Sequence, residues 1–517
     1  MNYNILWVDD EIDLLKPQIL FLKNKDILVT TANNGTDAIE LFQSNHFDLV
    51  ILDENMPGLS GLDTLVELKK INSVIPVFML TKSEEERIME EAIGSQITRY
   101  LIKPTSSANI YAAIVQELNG KSIISESIKN EFLTNHRRLS LEINNLRDYE
   151  DFNNFYNEIV TWEIKANNID KSFSNLLIDL KQQANIQFAK YIENNYQDWF
   201  EDPEMDRPVL SHEILKKYVI PKLKQENSES YLIIVIDNLR LDQWRVLQPD
   251  ILQFYNLVKE STYYSILPTA TQYSRNAIFS GLTPLEMKKQ HPEYWKDDVD
   301  EGLKNEFEFE YLKAQLKRFR LDIPTEYVKI SGVNDGEKFL RNIKQYKNNK
   351  LTTLVYNFID MLSHARTDSK IMRELSANDQ SYRDITQAWF KNSSLKEIIK
   401  AASKEGLKLI ITTDHGTVEV KRASTVIGDK ETSLNLRYKT GKSLTFQEKD
   451  VYHVSNPNKI GLPNINMSSS FIFAKYDFLL AYRNNYNHYA NYYKNTYQHG
   501  GISMEEMIIP FLILDPK

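Results

Sequence analysis

Several apolar runs beyond residue 230 of this 517-residue chain end in residues that bind cations. Ile410-Ile411-Thr412-Thr413 leads into Asp414-His415-Gly416, and Tyr231-Leu232-Ile233-Ile234-Val235-Ile236 leads into Asp237. Leu354 to Phe358 leads through Ile359 to Asp360, with His364 four residues on. A buried strand that delivers a carboxylate or imidazole to its carboxyl end is where open α/β sheets place their chemistry. Thr271 opens a helix-like run that closes at Ser280-Gly281, so its hydroxyl lies in the positive end of a helix dipole. There a phosphoryl ester or alkoxide is favoured, which makes Thr271 a candidate nucleophile. His499, followed by Gly500-Gly501-Ile502-Ser503-Met504-Glu505-Glu506, completes the set. Asp237, Thr271, Asp414 and His415 can bind one ion, and Asp360, His364 and His499 a second. Oxygen and imidazole donors in groups of three or four suit zinc, with manganese the main competitor.

The elements that position these residues are short strands alternating with amphipathic segments, the pattern of an α/β sheet. Asp360 is expected at the end of its strand, with His364 in the following helical turn. Thr269, Arg275 and Asn276 are near enough to Thr271 in sequence to be considered for phosphoryl contact. The other histidines, including His46, His136, His212, His291, His453 and His488, lack such partners and read as structural or solvated.

A different acidic pattern opens the chain. Ile5-Leu6-Trp7-Val8 ends in Asp9-Asp10-Glu11, and Leu49-Val50-Ile51-Leu52 ends in Asp53, followed by the turn Glu54-Asn55-Met56-Pro57-Gly58. Two strands carrying carboxylates to one sheet edge make a site for a hard cation such as magnesium. Val77 to Leu80 ends in Thr81, and Tyr100-Leu101-Ile102 in Lys103-Pro104. Residues 1–120 resemble the receiver domain of two-component response regulators, a doubly wound α/β fold. The resemblance implies that Asp53 is the phosphoacceptor and that Asp9, Asp10, Asp53 and the backbone of Asn55 hold magnesium. It also implies phosphoryl binding by Thr81 and Lys103, a switch role for Tyr100, and a sensor histidine kinase as partner. Lys82 departs from the family, which usually has a small residue there.

Residues 121–206 contain few glycines or prolines and carry stripes such as Phe152, Phe155, Tyr156 and Ile159, or Phe173, Leu176, Leu177, Leu180 and Ala184. This spacing predicts a bundle of about three helices, acting either as a connector that transmits the receiver's state or as a spacer. Ala108 to Leu118 is expected as the last receiver helix, with Gly120 punctuating the chain.

From 207 to 517, the order Asp, Thr, Asp-x-x-x-His, Asp-His, His resembles the phosphodiesterase branch of the alkaline phosphatase superfamily. The His-Gly-Gly-x-Ser-x-Glu-Glu ending is similar to that of PglZ domains. The resemblance implies an alkaline-phosphatase-like α/β domain with two Zn2+ ions, acting on phosphodiesters such as nucleotides or cyclic and linear oligonucleotides. A receiver, a helical connector and a PglZ domain together resemble response regulators associated with the type IX secretion system of Bacteroidetes. That kinship adds an alternative, an adaptor that binds a sigma factor or a secretion-system component, and an expected homodimer promoted by phosphorylation.

Composition narrows the classes. There is no cysteine, so thiolate ligands, cysteine nucleophiles and the usual sulfatase formylglycine are excluded. A net charge of -9 argues against a dedicated duplex-DNA binder. No apolar run approaches the roughly 18 residues of a membrane span. The start at Met1 leaves no room for a signal peptide, so a cytoplasmic location is expected.

Overall fold

The computed structural model describes residues 3–517 apart from 82–96, 167–170, 226–228, 299, 429–431, 467 and 485, together with backbone alone at 119–130, 166, 171 and 172. Lys82 lies outside the described residues. The chain forms two compact units, residues 1–132 and 133–517.

The first unit is built on five parallel strands, β1 (Tyr3–Val8), β2 (Ile27–Ala32), β3 (Leu49–Asp53), β4 (Val77–Thr81) and β5 (Arg99–Ile102), in the order β2-β1-β3-β4-β5. Strands β3 and β4 are buried along their whole length, the pattern of a parallel sheet covered on both faces. The order reverses at β1 and β3, and ligands bind in the crevice at such a switch point. The helix that begins at Ser107 does not stop at Gly120 but runs to Glu142. One glycine inside a helix costs only about 1 kcal/mol relative to alanine, too little to break one this long.

In the second unit, helices Tyr149–Ala166 and Lys171–Asn195 bury Phe152, Phe155, Tyr156 and Ile159 from one stripe and Leu177, Leu180 and Ala184 from the other. A six-stranded sheet forms the centre, from β6 (Tyr231–Ile236), β7 (Tyr255–Tyr264), β8 (Thr325–Ile330), β9 (Leu351–Tyr356), β10 (Lys408–Thr412) and the C-terminal strand Ile508–Pro516. Its order is β7, C-terminal strand, β10, β6, β9, β8. Strand β6 is parallel to both neighbours, pairing Val235 with Thr412 and Ile236 with Tyr356. The three strands therefore end level, so whatever follows them shares one sheet edge. Strand β6 is buried throughout, and its run of aliphatic residues supplies the apolar area that holds the edge in place. No helix among the described residues is long and apolar enough to cross a membrane.

Candidate metal centre and receiver site

Asp237 follows β6, and Asp414 and His415 follow β10, so the level strand ends set all three side by side. Their ligand atoms lie within 4.8 Å of one another. His415 Nε2 is 3.9 Å from Asp237 Oδ1, 3.7 Å from Asp414 Oδ2 and 3.1 Å from Thr271 Oγ1. Thr271 is the first residue of the helix Thr271–Ser280, which has no side-chain cap at Ala270. The positive end of its dipole is thereby directed at the hydroxyl.

The partners of these carboxylates indicate what the group can hold. Asp237 Oδ2 accepts from Arg275 Nη1 at 2.6 Å, and Asp414 Oδ1 accepts from the amides of Asn238 at 3.3 Å and His415 at 3.1 Å. Asp237 Oδ1 and Asp414 Oδ2, both buried, have no hydrogen-bond partner. Two buried carboxylate oxygens without donors, beside an imidazole nitrogen and a hydroxyl, are costly for the protein alone and fit a divalent cation. Burial pushes the Asp237 carboxyl up to about 7 despite Arg275, with Asp414 adding to the rise. Burial also raises Asp414 and lowers His415, so the imidazole is neutral and able to ligate.

The second group is Asp360, His364 and His499. Asp360 does not end a strand. Strand β9 stops at Tyr356, Asn357 flanks the helix Phe358–Asp368, and Asp360 and His364 stand one turn apart on that helix. The i and i+4 positions still share a face, and His364 Nε2 is 3.5 Å from Asp360 Oδ2. His499 arrives by another route. Val418–Val420 pairs antiparallel with Thr496–Gln498, matching Val418 to Gln498, so the residue after Gln498 is carried back toward His415. The rings of His415 and His499 stack with centroids 4.1 Å apart, which joins the two groups. His499 Nε2 is 3.9 Å from Asp360 Oδ1, while its Nδ1 faces the Thr269 carbonyl at 3.1 Å. A bond to Nδ1 fixes ring orientation and leaves Nε2 for a ligand. Burial and the neighbouring His415 lower His499 to about 4. Against the upward effect of burial, His364 and His499 hold Asp360 below the usual carboxylate range, and the hydrogen bond to Asp360 raises His364.

Of the residues near Thr271, Arg275 is wholly buried beneath the site rather than open to a substrate. It pairs with Asp237, with Glu308 through Nε at 2.6 Å, and with Asp414 at 3.6 Å. Thr269 binds the histidine loop, donating to the Gly501 carbonyl at 3.0 Å and accepting from the Gly500 amide at 2.9 Å. Asn276 Nδ2 donates to the Gln272 and Lys304 carbonyls. Asn238 bridges the two groups from a left-handed conformation (φ 64°), its Nδ2 donating to Asp360 Oδ1 and Ser363 Oγ, each at 3.3 Å. Glu506 accepts from Arg437 Nη2 at 2.7 Å and from the Gly501 amide at 2.9 Å, which secures the loop after His499. Arg275 and Thr269 lie far in sequence from the ligand segments they hold, whereas Asn238 directly follows Asp237 and Glu506 stands in the run that follows His499.

In the first unit, Asp9, Asp10 and Asp53 bring ligand atoms within 4.8 Å of one another at the switch point, an all-oxygen set that fits magnesium. Lys103 Nζ lies 2.9 Å from both Asp9 Oδ2 and Asp53 Oδ1. Burial raises the Asp53 carboxyl against the lowering effect of Lys103. Against burial, hydrogen bonds with Asp53 and Asp9 keep Lys103 protonated. Thr81 is buried at the end of β4, Asn55 is exposed just beyond β3, and half-buried Tyr100 packs on the core that includes Leu52 and Met79.

Three family models match successive parts of the chain. Residues 5–115 match the response regulator receiver domain, 122–200 the PorX response regulator linker domain, and 214–514 the BREX system PglZ alkaline phosphatase-like domain. Among curated proteins, the transcriptional regulatory protein ZraR of Escherichia coli O157:H7 is 34% identical over 123 residues, 24% of this chain and 28% of that protein. The chain thus spans little more than a quarter of that relative. A CpxR homolog of Haemophilus influenzae is 30% identical over 185 residues, 35% of this chain and 74% of its own length. Among solved structures, a receiver domain protein of Clostridium thermocellum is 32% identical, covering 24% of this chain and 98% of its own, with a TM-score of 0.22. TrrA of Thermotoga maritima, solved with Mg2+ and BeF, is 29% identical over 22% of this chain and 98% of its own, with a TM-score of 0.21. The PglZ match covers more than half of the sequence, so the chain belongs to the PglZ alkaline phosphatase-like family and, with its receiver and linker, is a PorX-like response regulator.

Proposed function

We propose that the chain is a response regulator whose output is a zinc-dependent phosphodiesterase acting on nucleotides or on cyclic and linear oligonucleotides, in the control of type IX secretion. On this reading residues 1–120 receive the signal, 121–206 connect, and 207–517 carry the chemistry. The observation that carries the reading is the Thr271 hydroxyl at a helix N-terminus, 3.1 Å from His415 Nε2 and beside two carboxylate oxygens without donors. A scaffold has no physical need for a hydroxyl in that position.

Asp237, Asp414, His415 and Thr271 would hold one zinc ion, and Asp360, His364 and His499 the other. Bound zinc lowers the pKa of a hydroxyl or water and neutralises charge on phosphoryl oxygens. Thr271 Oγ attacks phosphorus, giving its proton to solvent water, and the P–O bond to the leaving alcohol breaks as that alcohol takes up a proton from water. Water then cleaves the phosphothreonine ester, releasing the phosphomonoester and restoring the hydroxyl. The dipole of the helix Thr271–Ser280 favours the negative charge that accumulates at each step. Arg275 fixes Asp237 and Asp414 from below, and Thr269 and Glu506 fix the loop of His499.

In the receiver, Asp53 would accept the phosphoryl group from a sensor histidine kinase, with magnesium on Asp9, Asp10, Asp53 and the backbone of Asn55. Thr81 and Lys103 would bind the phosphoryl oxygens, and Tyr100 would carry the change to the surface. Phosphorylation then promotes a cytoplasmic homodimer that assembles or gates the output. Two experiments test the reading. Zinc-loaded chain is expected to hydrolyse bis-p-nitrophenyl phosphate in preference to p-nitrophenyl phosphate, and preference for the monoester would refute the diesterase assignment. Sedimentation with and without beryllofluoride is expected to show a shift from monomer to dimer, and an unchanged mass would refute the regulatory part.

A further inference from the structure

The helix Lys171–Asn195 buries two polar residues one turn apart, Lys181 and Asn185. Neither belongs to the apolar stripe that packs the bundle; Asn185 meets Met504 and Glu505, and Lys181 meets the carboxylates of Glu163, Asp379 and Glu505. We propose that this connector helix supports the metal centre, with Asn185 and Lys181 as positioning residues that hold the segments of Asp237, His415 and His499 in register. The inference rests on reading the two ligand groups as a metal centre.

Three contacts converge. Asn185 Oδ1 accepts from the Met504 amide at 2.8 Å, and its Nδ2 donates to Glu505 Oε2 at 2.9 Å. The short helix Met504–Met507 is therefore fixed at both its first amide and its first carboxylate. That helix bears directly on His415. The Gly416 amide donates to the Glu506 carbonyl at 3.0 Å, and a Cβ at Gly416 would come within 2.0 Å of the Glu505 carbonyl oxygen. No side chain fits there, so displacement of Glu505 moves the backbone next to a ligand.

Lys181 serves the other two segments. Its Nζ lies 2.7 Å from Glu163, 2.9 Å from Asp379 Oδ2 and 3.6 Å from Glu505. The other oxygen of Asp379 accepts from Arg240 Nη1 at 2.8 Å and from the Tyr497 hydroxyl at 2.6 Å. Arg240 is three residues beyond Asp237, and Tyr497 two before His499. Lys181 and Arg240 together compensate the Asp379 carboxylate that joins Arg240 to Tyr497, with Asp242 holding Arg240 from its other side. The network lines a cavity of about 450 Å³, so the path from the connector helix to the ligand segments runs through these ion pairs and hydrogen bonds rather than through close packing.

The test is zinc affinity of the full chain, by competition with a chromogenic chelator, for wild type, Asn185→Asp and N185D/E505Q. Asn185→Asp sets a carboxylate against Glu505, and the double variant exchanges amide and carboxylate so that the bond can re-form. The inference expects Asn185→Asp to weaken zinc binding by about tenfold or more, the usual scale for outer partners of metal ligands, and the double variant to recover most of that loss. Affinity within about twofold of wild type, even with a lowered thermal midpoint, would show a packing role only and overturn the inference, as would a double variant no better than the single one. If Asn185→Asp does not fold, Asn185→Ala is judged by the same criterion. A wild-type chain that binds no zinc would overturn the metal reading and this inference together, whereas a chain that binds zinc without hydrolysing any diester would refute only the proposed activity.

Discussion

Arg275→Met exposes the electrostatic design of the site. Arg275 is fully buried and is the one side chain among the described residues whose ion pairs reach Asp237, Asp414 and Glu308 together, at 2.6, 3.6 and 2.6 Å. Methionine keeps most of the volume but leaves three buried carboxylates without that cation. Breaking a buried pair by removing one partner typically costs about 3–5 kcal/mol. For a unit this large that is expected to lower the thermal midpoint of the metal-free chain by roughly 4–6 °C. Zinc changes the outcome. A divalent cation on Asp237 Oδ1 and Asp414 Oδ2 replaces much of the missing positive charge, leaving chiefly Glu308 uncompensated. The gap between variant and wild type is therefore expected to shrink to about half in saturating zinc, which by linkage means that the variant gains more stability from the metal. Calorimetry of both proteins in chelator and in excess zinc measures the four midpoints. A gap that stays equal or widens in zinc would refute the idea that Arg275 and a cation neutralise the same carboxylates, and a metal-free loss below about 1 kcal/mol would refute the importance of the pairs.

Three further outcomes are expected. Lys439 is buried in the strand Tyr438–Lys442, and loss of hydration lowers its ammonium to about 7, while the Tyr482 ring 4.3 Å away offsets part of that penalty. Because the unfolded chain keeps that proton to about 10.4, stability is expected to rise with pH between about 7 and 10 and to be lost as pH falls through 7. Lys439→Met is expected to remove this slope and raise stability at neutral pH by about 3 kcal/mol, checked by thermal melts across that range; an unchanged slope would contradict it. Removing metal with a chelator is expected to destabilise wild type by about 3 kcal/mol for each site that zinc fills at one hundred times its dissociation constant, read from the same melts; identical midpoints would argue against a resident ion. Lys103→Met, which deletes the 2.9 Å contacts to Asp9 and Asp53, is expected to slow phosphorylation by acetyl phosphate at least about tenfold, followed by intact mass, and an unchanged rate would remove Lys103 from the phosphoryl site.

Much of both sites was legible because their residues sit at the ends of apolar runs, where period and composition are strongest. Asp53 ends, and Asp9, Asp237 and Asp414 come just after, a strand that is buried along most or all of its length. What the sequence misplaced has local physical reasons. Asn357 begins a helix one turn earlier than the apolar run suggests, so Asp360 is helical, though the i, i+4 spacing kept it beside His364. Gly120 looked like a terminator, yet the helix tolerates it. What the sequence hid is long-range. Arg275 meets Glu308, Asn185 meets Glu505 and Lys181 meets Asp379 across separations that no periodicity encodes. Buried charged residues are rare and need partners, but a sequence does not say which arginines and lysines are buried.

The most direct test of the account is acid quenching of zinc-loaded chain during turnover of bis-p-nitrophenyl phosphate, followed by peptide mass analysis. A phosphoryl ester on Thr271 is expected, with a burst of p-nitrophenolate that does not exceed the concentration of chain, and loss of both in Thr271→Ala. Diester turnover by Thr271→Ala at the wild-type rate would contradict it.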